Sequence, residues 1–70
     1  MASLPVLSGR EVVKVFGWEV SRQSGSHIIL TKRGQTITLS IPDHKEVAKG
    51  TLRSLIRAAN LTVDEFTASI

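Results

Sequence analysis

The sequence predicts an α+β fold, a two-layer α-β-β-β-α sandwich in which a three-stranded antiparallel sheet carries both main helices on one face. Three observations predict it. A capping-box pattern at Ser8 opens a short stretch of helical apolar spacing. The segment QTITLSI, residues 35–41, then alternates apolar and polar with a period of two. Leu52, Leu55, Ile56 and Ala59 return to the i, i+3, i+4, i+7 spacing of a helix.

The first helix starts at Ser8-Gly9-Arg10-Glu11, where the Ser8 hydroxyl and the Glu11 carboxylate can each accept the other's backbone amide. Leu7 before the cap and Val12 four positions into the helix suit a hydrophobic staple. Val12, Val13, Val15 and Phe16 form its apolar face, and Gly17 ends it after about two turns.

From Trp18 the period changes to two. A polar first strand reaches the turn Ser24-Gly25-Ser26, and a second strand runs from His27 to Lys32. A three-residue loop there sets Val20 opposite Leu30 and Gln23 opposite His27, with Gly25 supplying a positive φ. If Arg33-Gly34 is a two-residue hairpin loop, Leu30 lies opposite Ile37, Ile28 opposite Leu39 and His27 opposite Ser40. Ile28 and Leu30 then face the core, which puts His27 and Ile29 on the open face of the sheet.

Pro42 ends the third strand, and Asp43-His44-Lys45-Glu46 is a polar connection. The second helix follows. Its apolar stripe is flanked by a basic one, Lys49, Arg53 and Arg57, at four-residue intervals. Asn60 suits a left-handed close to that helix. Thr62-Val63-Asp64-Glu65 repeats the capping-box pattern, with Leu61 and Phe66 as a second staple, so a short last helix is expected.

Seventy residues predict one domain with a marginal core. There is no cysteine, so no disulfide or cysteine-bound zinc supports it. The start MASLPVLSGRE lacks the charged and long apolar regions of a secretory signal, and no apolar run approaches the ~20 residues of a membrane span. A cytoplasmic protein is expected. Nine Lys and Arg against six Asp and Glu give a net charge of +3, which favours an anionic partner, nucleic acid above all.

Four features could carry chemistry. His27 offers an imidazole, the side chain that exchanges protons near neutral pH, and RNA cleavage by its own 2′-OH needs such a relay without a metal. A plain surface histidine at a strand start fits the same spacing. His44 could hold a phosphate, cap the next helix or be solvated. Asp43, His44 and Glu46 in one short loop match no established metal-ligand spacing. Lys45, Lys49, Arg53 and Arg57 suit phosphates beside a helix start near Gly50-Thr51, and equally suit a solvated face. Arg22, Lys32 and Arg33 add charge at the sheet ends. Three aromatics, Phe16, Trp18 and Phe66, are too few for a base-stacking platform.

In LSGREVVKVF, RQSGSHIIL and IPDHKEVAKGTLRSLIRAANLTVDEF the chain resembles the HicA-type (YcfA-like) toxins, from about Leu7 to Phe66. The elements Gly25-Ser26-His27 and Lys49-Gly50-Thr51-Leu52 are its most specific carriers. The resemblance implies a fold like the double-stranded-RNA-binding domain and an endoribonuclease that cleaves mRNA without a cofactor. It also implies that His27 is the catalytic histidine and that a HicB-type antitoxin blocks the site. Lys45, Lys49, Arg53 and His44 would then hold RNA, with His44 also a candidate for the second proton transfer. Two other readings of the same residues are a non-catalytic RNA-binding module and an interaction domain that only occupies the antitoxin. The chain departs from the family in a first helix about one turn shorter and in Asn60, where a glycine is usual.

Overall fold

The computed structural model describes residues 3–70 and has the element order α1 (Gly9–Phe16), β1 (Glu19–Ser24), β2 (His27–Thr31), β3 (Leu39–Pro42), α2 (Lys49–Ala58) and α3 (Val63–Ala68). The sheet is antiparallel in the order β1-β2-β3, so it is open at both edges. The α+β class and its three-stranded sheet are as the period changes predict. None of the helices is long and apolar enough to cross a membrane among the described residues.

Both capping boxes form. The Ser8 Oγ accepts the Glu11 amide at 3.2 Å and a Glu11 carboxylate oxygen accepts the Ser8 amide at 2.9 Å. Thr62 and Glu65 repeat this at 3.0 and 2.9 Å. The Ser8 backbone amide, then the Ser8 hydroxyl, hold the Glu11 carboxyl below the ordinary carboxylate value. Because the folded value is the lower one, this contribution is present at neutral pH and lost as acid protonates Glu11 in the folded chain.

Helix α2 ends in a Schellman motif. Asn60 takes φ 62°, its amide donates to the Arg57 carbonyl at 2.9 Å, and the Leu61 amide donates to the Ile56 carbonyl at 3.0 Å. Asparagine does here what glycine usually does, since its short polar side chain tolerates the left-handed region. Helix α1 closes on Gly17 at φ 68°.

Ile28, Leu30, Leu39 and Ile41 line the buried face of the sheet, against Val12 of α1, Leu52 and Ile56 of α2, and Phe66 of α3. Both α1 and α2 pack on β3. Phe16 lies against Phe66 at 5.1 Å and meets Trp18 edge-on at 6.5 Å between ring centres. Trp18 is buried, with the Lys32 ammonium 5.9 Å above its ring. At the other edge β1 is uncovered. Val20 points to the helix side but stays half exposed, over a shallow groove shared with Val13, Lys14 and Ile28.

Two turns differ from the sequence reading. The first hairpin has a two-residue loop, Gly25-Ser26, with Ser24 opposite His27 and Gln23 opposite Ile28. Gly25 has φ 58° and Ser26 does not share the positive sign, the φ pattern of a type II′ turn, which matches the twist of the strands. Val20 still faces Leu30, because a bulge between Val20 and Arg22 absorbs one residue.

The second hairpin is longer than expected. Gly34 has φ 86° and the Gln35 amide donates to the Lys32 carbonyl at 3.0 Å, while Arg33 keeps a negative φ. A primed turn needs a positive φ at Arg33, which an arginine resists. The turn that forms instead splays the strands, and pairing begins only at Leu30 opposite Leu39. The register is therefore two residues beyond the predicted one, so His27 lies opposite Pro42 rather than Ser40. An even shift preserves the faces. Leu39 and Ile41 are buried, and Ile37 falls outside the sheet and is exposed.

Candidate functional site

His27 is the first residue of β2, and its place follows from the turn before it. The buried pair Ile28 and Leu30 fixes the opposite face for His27 and Ile29, and His27 is exposed on that open face. Residues opposite one another share a face, so Ser24, His27 and Pro42 form one row across the sheet. Arg22, Ile29 and Ser40 form the next, and Glu19 and Thr31 a third.

The turn is held from the helix side. The Ser26 carbonyl accepts the Asp43 amide at 2.7 Å, extending the β2–β3 ladder past Pro42. The Asp43 carboxylate accepts the Gln23 side-chain amide at 3.1 Å and faces the Arg10 guanidinium at 3.5 Å. Gln23 also reaches the Gly25 carbonyl at 3.5 Å. Asp43, named in the sequence as one of three acids and imidazoles in a loop, is a clamp between β1, the turn and α1. These bonds engage carbonyls, Gln23, Arg10 and Asp43, and none of them involves the His27 imidazole.

The same loop carries His44, two residues past the partner of His27. Its carbonyl accepts the Gly9 amide at 2.9 Å, and the Val47 amide donates to the Leu7 carbonyl at 2.8 Å. Gly9 is buried, and a Cβ there would collide with the Pro42 carbonyl oxygen and come within 3.0 Å of the Asp43 Cα. A glycine is what lets the start of α1 seat on the end of β3. In the sequence Gly9 reads only as a capping-box position, since a close backbone approach has no local signature.

His44 and Lys45 are exposed in this loop, and Lys49 and Arg53 are exposed on α2. The loop joins the His27 end of the sheet to the start of α2. That start is open: Ala48 caps it without a side-chain bond and no acidic residue lies in the first turn. Its amides and dipole therefore favour an anion. Gly25, Ser26 and His27 are thus grouped with the backbone of His44, while Lys49 and Arg53 belong to the helix layer behind the sheet.

Residues 9–61 match the family model described as HicA toxin of bacterial toxin-antitoxin. No significant match was found among curated proteins or among solved structures. The matched span runs from the glycine that seats α1 to the Schellman close of α2, and includes the His27 turn and the Asp43 clamp. On that match, the chain belongs to the HicA family of toxins of bacterial toxin–antitoxin systems.

Proposed function

We propose that the chain is a metal-independent endoribonuclease that cleaves mRNA in the cytoplasm and is held in check by a HicB-type antitoxin. The observation that carries this reading is His27 itself, an exposed imidazole on the open sheet face, presented by a turn braced through Asp43. A group meant for proton transfer must be reachable by substrate and carried on a fixed backbone, and an exposed side chain on a braced turn supports that reading.

In this reading the RNA supplies its own nucleophile. The 2′-oxygen bonds to phosphorus as the bond to the 5′-oxygen breaks, one proton leaves the 2′-OH and another reaches the departing oxygen. His27 carries one of these transfers. His44 is the second imidazole at this end of the sheet and is assigned the other. Gly25 and Ser26 shape the turn, and Lys45, Lys49 and Arg53 hold flanking phosphates as the strand passes the loop toward the open start of α2.

Induction of the chain in a bacterial host is expected to stop growth and shorten mRNA half-lives, and co-expression of a HicB-type antitoxin is expected to restore both. Growth arrest with intact mRNA, and RNA retained by the purified chain with a steep salt dependence but never cut, would instead identify a binding module.

A further inference from the structure

We propose that Arg22 binds the phosphate that His27 acts on, which makes the two residues one site across β1 and β2; this rests on the reading of His27 as the reacting imidazole. In a regular strand Val20 and Arg22, two residues apart, share a face. Here Ser21 is the extra residue of a register shift, and the parity of the strand changes across it. Val20 stays opposite Leu30 on the helix side, while Arg22 pairs with Ile29 and so stands on the face of His27. Bulges of this kind re-aim a side chain, and this one re-aims a guanidinium.

Arg22 is diagonal to His27 in the antiparallel ladder, a relation that sets the two Cα atoms about 7–8 Å apart and within reach of a long side chain. It is exposed, and the one ion pair among the described residues joins Arg10 to Asp43 on the other side of the sheet. Glu19 shares the open face one row further on, opposite Thr31, and no ion pair joins it to Arg22. The other cations are placed elsewhere. Arg10 and Lys14 ride on α1, Lys32 lies over Trp18, Arg33 is in the second turn, and Lys45, Lys49, Arg53 and Arg57 follow the loop and α2. The strand register puts Arg22 alone among them beside the imidazole.

A guanidinium presents two parallel N–H groups to two non-bridging phosphate oxygens. Charge gathers on those oxygens as the 2′-oxygen bonds to phosphorus and before the bond to the 5′-oxygen has broken. A fixed cation there stabilises the transition state more than the ground state, and Arg22 itself moves no proton.

The test has two arms. In single-turnover cleavage of RNA, Arg22→Ala is expected to slow the chemical step by about 10²–10³-fold with little change in KM, and Arg22→Lys to recover part of the loss. An effect confined to KM, or one under threefold, overturns the proposal. The second arm needs no cleavage. Inorganic phosphate titrated into the parent chain is expected to move the His27 imidazole resonances, since an anion held by Arg22 would lie beside that ring. Arg22→Ala should abolish that response and Lys14→Ala, an equal charge change on α1, should keep it. A response that survives in Arg22→Ala counts against a shared site. A parent chain that cuts no RNA but gives the Arg22-dependent phosphate response removes the catalytic reading of His27 and leaves the anion site standing.

Discussion

His27→Ala is expected to lower RNA cleavage by about 10²–10⁴-fold while leaving the fold unchanged. The side chain is exposed and stands at the end of a strand whose register is set by Ile28 and Leu30. Its loss removes the proposed proton carrier and no packing. Circular dichroism and the thermal midpoint should therefore match the parent, and RNA affinity at fixed salt should stay within a few-fold. Cleavage by the variant at the parental rate would move the chemistry to another group. Because the proposed mechanism uses two imidazoles, His44→Ala is likewise expected to lower cleavage by about 10²-fold or more.

Gly9→Ala is the substitution expected to harm the fold most. The added methyl meets two backbone groups, the Pro42 carbonyl and the Asp43 Cα, neither of which can rotate aside. The start of α1 must lift from β3, which strains the Gly9–His44 and Leu7–Val47 bonds together. Overpacking of this kind typically costs about 1–3 kcal/mol. A domain of this size has a total stability of only about 4–10 kcal/mol. The thermal midpoint should fall by about 10–20 °C, at the upper end of that loss. Gly50→Ala makes the contrast. Its Cβ would meet nothing within 4 Å in the first turn of α2, and a gain of roughly 0.5 kcal/mol is expected from helix propensity. Urea midpoints of the two variants should move in opposite directions, and a Gly9→Ala midpoint equal to the parent's would mean that the seating of α1 on β3 is not as described. Because Gly9 also ties down the loop of His44 and Asp43, cleavage by Gly9→Ala should fall along with stability.

What could be read from the residues was what local chemistry decides. The two capping boxes, the left-handed Asn60 and the apolar stripe of α2 each rest on residues within one or two turns of one another. The face of His27 was legible too, because an apolar alternation names the buried side whatever the partner strand does. What was not legible depends on backbone geometry summed over a distance. Arg33-Gly34 reads as a tight hairpin loop until the φ of Arg33 is known, and the register slipped by two residues for that reason. The bulge at Ser21 has no marker in EVSRQS, yet it decides which face receives Arg22. Gly9 and Asp43 acquire their roles only once α1, β3 and the first turn meet.

An imidazole on the open sheet face is proposed to cleave RNA through the substrate's own 2′-oxygen. The most direct measurement is the chemistry of the cut ends, read on a defined RNA treated with the purified chain in excess EDTA. Cleavage that EDTA does not slow is expected, with a 2′,3′-cyclic phosphate on one fragment, a 5′-hydroxyl on the other and no cut where the 2′-OH is replaced by hydrogen. Cleavage that stops with EDTA, or ends carrying a 3′-hydroxyl and a 5′-phosphate, would contradict it.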